Sequence, residues 1–269
     1  MHCAHDCLKS FILLSFLAAP AAFGHEFWIE PSNFRPPVGA VVAARVMVGE
    51  GFLGEAKLRD ETHILRFEMV GPYGETPMVG RPGAEPAGVA RIEAPGVHLV
   101  GYASRPRTVS LEGDKLDQYI REEGLEPFFR GDRPSKIEDH YSRYAKCLLL
   151  AGDAPPSSKG YDSRLGFALE LIPQRDPAGL PAGAKLPLIL LKDGRPLPDA
   201  QVSARKRGQP DTRIVTRSDA QGRVFLELPE AGVWLVHSVF IRPIPSQAEN
   251  WQSLWASLTF EIPELPSSD

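Results

Sequence analysis

Apolar and polar residues alternate along much of this chain with the period of a β-strand. In "VVAARVMV", Val42, Ala44, Val46 and Val48 share one face and Arg45 points the other way, as a half-buried strand requires. "RFEMVGPYGE" predicts a further strand closed by a Pro/Gly turn, and "ARIEAPGVHLVGYAS" two short strands about Pro95-Gly96. The pattern returns late in the chain in "LGFALELIP", "KLPLILLKDGRPLPDAQVSARKR", "TRIVTRSDAQGRVFLELPEAGVWLVHSVFI" and "WASLTFEI", with hairpin turns at Asp193-Gly194 and Asp219–Gly222. Many short strands with frequent turns predict a mainly β protein of two tandem antiparallel β-sandwich modules, Ig-like or prealbumin-like.

Between the two strand-rich regions the period changes. "DKLDQYIREEGL" places Leu116, Tyr119 and Ile120 at helical spacing and ends at Gly124, a helix stop. "IEDHYSRYAKCLLL" gives the same spacing for Ile137, Tyr141, Tyr144, Ala145 and Leu148 and predicts a second helix, with His140 on it. The expected organisation is therefore an N-terminal sandwich over 25–113, a small helical insertion or bridge over 114–151, a linker over 152–164, and a C-terminal sandwich over 165–269. The halves also echo each other: "EAPGVHLVGY" in the first is similar to "PEAGVWLVHS" in the second.

Composition narrows the setting. Lys9, the apolar run Phe11–Ala19 and the small residues Ala22-Phe23-Gly24 together read as a signal peptide over 1–24, which predicts export to the periplasm and a mature chain beginning at His25. The apolar run is too short to span a bilayer, which takes about 20 residues. Cys3 and Cys7 leave with the signal, so Cys147 remains alone and no intrachain disulfide is expected. A net charge of −4 without a basic stripe argues against nucleic acid as a partner.

The signal followed by "HEFWIEP", then "RFEMVGPYGE", "HYSRYAKCLLLAG", "LPLILLKDGRPLPDAQVSA", "TRSDAQGRV" and "WQSLWASLTFEI", resembles in matching order the bacterial family called domain of unknown function 4198. That resemblance implies a periplasmic protein akin to accessory parts of nickel or cobalt transport, with a transporter component as partner. It also implies a C-terminal half similar to the prealbumin-like modules of carboxypeptidase regulatory domains and adhesin stalks, which seldom catalyse. Where the family pattern carries a histidine near the end of the strand after Trp234, this chain has Phe240, and the nearby His237 falls on the opposite strand face.

The candidate chemistry is metal binding. A histidine freed at the chain start offers its amine and its ring nitrogen together, and a chain-terminal amine, which ordinarily titrates at about 7.7–8.0, loses its proton to a metal at little cost. A second imidazole would complete a three-nitrogen set suited to Cu(II) or to Ni(II)/Co(II). His63, His98 and His237 are the partner candidates, with His140 a fourth; Asp60 and Glu61 flank His63 and can orient its ring. Glu26 can add an oxygen ligand, although its alternation with Phe27 equally suits a solvent-facing edge strand. "SRYAK", with Tyr144, reads either as a contact for an anionic ligand or as a solvated helix face. Trp28 and Trp234 are expected in the core, Trp251 and Trp255 on a helical face or beside a turn.

No Gly-x-Ser-x-Gly elbow, paired-His zinc motif or phosphate-cradling glycine loop occurs, and a buried, inert thiol is expected at Cys147. The chain is thus expected to be a transition-metal binder in uptake, delivery or tolerance, not an enzyme. An interaction module for a transporter or receptor is the second reading, and a copper-dependent oxidase the third.

Overall fold

The computed structural model describes residues 26–129, 134–155, 159–245, 247 and 249–264. The alternating segments form strands throughout. The first run comprises β1 (Glu26–Pro31), β2 (Val41–Glu50), β3 (Leu53–Lys57), β4 (Ile64–Gly71), β5 (Gly74–Pro77), β6 (Gly88–Arg91), β7 (Gly96–Ser104) and β8 (Arg107–Glu112). Helix α1 (Gly113–Glu123) and the long strand β9 (Lys136–Ala151) follow. The second run is β10 (Leu169–Pro173), β11 (Lys185–Lys192), β12 (Arg195–Pro196), β13 (Gln201–Lys206), β14 (Ile214–Arg217), β15 (Arg223–Glu227), β16 (Gly232–Pro243) and β17 (Asn250–Ile262).

The two runs have the same topology. One four-stranded sheet has the order β1-β2-β3 with β6 also on β2; the other has β10-β11-β12 with β15 also on β11. The remaining strands form one central sheet in the order β14-β13-β16-β17-β9-β7-β4-β5, with β8 added on β9. From the middle outward, that order is the same in both directions once each strand is replaced by its counterpart. All joins are antiparallel except the central one, where β17 runs parallel to β9 from Asn250↔Glu138 to Thr259↔Cys147. The chain is thus a β-sandwich of two equivalent modules fused through a shared sheet. The sequence echo marks equivalent places: it begins β7 and β16, at Gly96 and Gly232, whose φ values of 129° and 124° favour glycine.

The central strands are covered on both faces. Along β9, Ala145, Cys147, Leu149 and Ala151 join Phe27, Ile29, Val42, Ala44 and Val46 of the first small sheet. Leu148 and Leu150 face the other way, into a core with Leu169, Leu171, Leu186 and Leu188 of the second. This explains why residues 136–151 form a strand and not the expected second helix. A strand buried on both faces loses its alternation, and the apolar spacing left in "IEDHYSRYAKCLLL" coincides with a helical stripe. His140, Tyr141, Arg143, Tyr144 and Cys147 accordingly lie on β9, and Trp251 and Trp255 on β17, not on helices.

Helix α1 forms where its apolar spacing predicts, burying Leu116, Tyr119 and Ile120, and it ends at Gly124 in the left-handed region at φ 61°. It packs on Val239, Ile241 and Trp251 of the central sheet. The segment carrying β8 and α1 is therefore the loop between β7 and β9, elaborated in one module; its counterpart between β16 and β17 spans only residues 244–249. Among the described residues, no helix is long and apolar enough to cross a membrane.

Candidate functional site

The elaborated loop opens a cleft at its root. Strand β9 pairs with β8 up to Arg107↔Tyr141 and with β7 from Ala103↔Tyr144 onward, so it changes partner across Ser142 and Arg143. At that break the Arg143 amide donates to Ser104 Oγ, 2.9 Å away. A cavity of about 220 Å3 lies between this point and the first small sheet. Phe27, Val46, Val48, Tyr102 and Tyr141 supply apolar and aromatic wall; Lys57, Arg59, Arg105, Arg107 and Arg143 supply five cations against the one carboxylate of Asp60.

Arg59 and Arg107 are paired at the mouth. Arg59 pairs with Glu61 at 2.6 Å and donates to the carbonyls of Met78 and Ala87. Asp60 folds over its own turn, accepting from the Thr62 amide and hydroxyl at 3.0 and 2.6 Å and from Arg107 at 3.1 Å. The Thr62 hydroxyl bond lowers the Asp60 pKa, burial partly opposes it, and the Thr62 amide bond and the Arg107 charge add to the lowering. His63 Nδ1 lies 2.8 Å from Asp60 Oδ2 and 2.9 Å from Thr62 Oγ1, an arrangement that places a proton on Nδ1.

Arg143 is held differently. Its guanidinium carbon lies 5.2 Å from the centroid of Phe27, 4.8 Å from Tyr141 and 5.5 Å from Trp255, and burial lowers its pKa. Its Nε is buried without a hydrogen-bond partner. Four places earlier on the same face of β9, Asp139 accepts from Ser253 Oγ at 2.6 Å through one oxygen and leaves the other unbonded. Burial pushes the Asp139 carboxyl up to about 6, although the Ser253 bond and the charges of His140 and Arg143 oppose this. Tyr102, also in the cleft wall, has its pKa raised by burial.

The remaining sequence candidates lie elsewhere. His98 is buried at the other end of β7, its Nδ1 3.2 Å from the Gly96 carbonyl and its ring against Gly71, and burial lowers its pKa while that bond opposes the shift. His237 has both nitrogens engaged beneath α1, Nδ1 with Ser203 Oγ at 2.9 Å and Nε2 with Glu123 Oε2 at 2.7 Å. These three groups have the membership of a hydrolytic triad, but with 1, 5 and 3 % exposure for Ser203, His237 and Glu123 they offer a substrate no approach and instead fasten α1 to the sheet. His140 pairs with Thr108 Oγ1 on the face of β9 opposite Arg143. Counting sheet registers, His98 and His237 stand three strands and about four residues apart, roughly 20 Å. Among the described residues no three His, Cys, Asp or Glu side chains are grouped to hold a metal ion.

Glu26 is not on a solvent-facing edge. It is 3 % exposed, 2.7 Å from Arg205 Nε, and accepts from the Phe52 amide at 2.5 Å, so it is committed to bridging the two modules. Tyr144 points away from the cleft and packs on Phe167 in the other core. Cys147 is fully buried, its thiol pushed up to about 12 by burial. His25 and the segment expected to be a signal peptide lie outside the described residues; Phe27 lines the cleft together with His63. Sequence reasoning singled out His63 and "SRYAK" but did not bring them to one place, and it passed over Lys57, Tyr102, Arg105 and Arg107. The run "SRPR" at 104–107, two arginines held apart by a proline that breaks the strand, was the available signal.

Fold and cleft together define a two-module β-sandwich protein with a small cationic cleft at one module's elaborated loop. The chain belongs to the family described as a domain of unknown function, DUF4198, whose family model matches residues 22–242. A comparison with curated proteins finds no match. Among solved structures the chain is similar to one titled "D0-D1 domain of Intimin", at 11% identity over 87% of this chain and 97% of that one, with a TM-score of 0.20.

Proposed function

We propose that the exported, processed protein binds one divalent transition ion, Cu(II) or Ni(II)/Co(II), through the amine and imidazole of His25 and the Nε2 of His63, and serves metal uptake, delivery or tolerance in the periplasm. The observation that carries this reading is the His63 ring: a carboxylate fixes its Nδ1 side and leaves Nε2 as the donor, the arrangement typical of metal-ligating histidines. Phe27, two residues after the proposed first residue, lines the same cleft as His63, which motivates pairing the two histidines. The bound ion would act there as a Lewis-acidic centre holding nitrogen ligands, and Asp60 would keep the His63 tautomer. His98 and His237 are too distant to share the ion. The C-terminal half, with its sequence resemblance to prealbumin-like modules, serves in this reading as a scaffold, and a membrane transporter component is the expected recipient.

The test is metal titration of the chain beginning at His25, with electron paramagnetic resonance for Cu(II). About one equivalent with nitrogen ligation is expected, and one extra residue ahead of His25 or His63→Ala should each weaken binding at least tenfold. Equal uptake by the processed and extended chains would defeat the proposal.

A further inference from the structure

Among the described residues, three of the five cations in the cleft have no counter-ion. Asp60 and Glu61 answer Arg107 and Arg59, but no described carboxylate lies within ion-pairing distance of Lys57, Arg105 or Arg143. Elsewhere the chain pairs its arginines readily, with Arg35, Arg45, Arg66, Arg205 and Arg223 all beside carboxylates. Arg143 is the unusual one, because it is held among three aromatic rings at the break in β9 with a buried Nε that has no acceptor. Ring faces offset part of the cost of burying a guanidinium, but they accept none of its planar set of N–H bonds. That fork matches a carboxylate in two-point contact.

We infer that this cleft binds a small organic polycarboxylate, with Arg143 gripping one carboxylate and Lys57 and Arg105 receiving another. The walls argue for a carbon skeleton between the charges: Phe27, Val46, Val48, Tyr102 and Tyr141 offer inorganic phosphate nothing but a desolvation cost. The cavity of about 220 Å3 sets the size at a small acid and excludes a polymer. Asp60, the one carboxylate in the lining, is turned toward Thr62, His63 and Arg107, and so leaves the uncommitted cations to the ligand. The inference goes beyond the metal reading and does not need it, since none of the three cations is a metal donor.

The test is isothermal titration of the processed protein, stripped of metal on a chelating resin, with tricarballylate, propionate and inorganic phosphate. Tricarballylate is expected to bind at least tenfold more tightly than either of the others and to weaken as salt is raised. Arg143→Lys keeps the charge but loses the fork and should cost at least tenfold. Lys57→Gln combined with Arg105→Gln alters only exposed side chains, so folding should be retained, and binding should weaken at least fivefold; should Arg143→Lys fail to fold, this pair decides alone. Phosphate binding as tightly as tricarballylate, or unchanged affinity in the variants, would overturn the inference. A residue added before His25 should weaken metal binding at least tenfold and leave tricarballylate binding intact, so the two proposals fail separately.

Discussion

Burial acts in opposite senses on Arg143 and Asp139, four places apart on one face of β9. The arginine keeps its charge and takes aromatic partners; the carboxylate keeps its proton to higher pH, about 6 against an ordinary 3.8. The unfolded chain therefore gives up the Asp139 proton first, and between about pH 4 and 6 the native state holds more protons. This group makes stability fall as pH rises through that window and then level off. Asp139→Asn should flatten the slope and, by about 1–3 kcal/mol, stabilise the protein at pH 7.5, as urea unfolding at pH 4.5 and 7.5 would measure. An unchanged pH slope would show that Asp139 is ionised in the native state at ordinary cost. At this scale the pairing of His63 with Asp60 was legible in the sequence because it is local, three residues within one turn. Arg143 was not, because its surroundings come from β1, β7 and β17, and no spacing along the chain records such neighbours.

Among the elements, β9 carries the largest discrepancy between sequence and structure. Its last seven residues are buried on both faces, so the polar–apolar alternation that revealed β2 is erased, whereas α1, with one face in solvent, kept its stripe and formed where that stripe predicts. The same double burial makes Lys146 costly. It points into the second core, 1 % exposed, and pairs with Glu170 at 2.9 Å, while Glu170 also accepts from the amides of Leu165 and Gly166. Burial pulls the Lys146 pKa down and Glu170 holds it up. Lys146→Met should destabilise the protein by about 3–5 kcal/mol by stranding the carboxylate, and adding Glu170→Gln, which removes the charge and keeps an acceptor for one of those amides, should recover part of the loss. Denaturant midpoints of the single and double variants check this; a double variant less stable than the single one would show that the carboxylate is satisfied without its lysine.

For the molecule as a whole, the interval read as a helical bridge holds the long strand β9, whereas two modules were legible from the echo between β7 and β16. The shared sheet was not, since the β9–β17 pairing joins residues more than a hundred positions apart. It follows that the modules are not independent folding units. Val97, Leu99, Leu148 and Leu150 of the first are packed in the core of the second. A fragment ending at Ala151 should bind a hydrophobic dye and aggregate, and the intact chain should unfold in one calorimetric step, with the tryptophan and far-ultraviolet transitions superimposed. Two separated transitions would contradict the fused sheet. The palindromic strand order has a longer reach. Two equivalent units that lean on each other in this way cannot drift freely in either half, so changes along the seam should be matched by changes in the opposite unit, and the loop between β7 and β9, whose helix lies across β16 and β17, should diversify freely only at its solvent-facing positions.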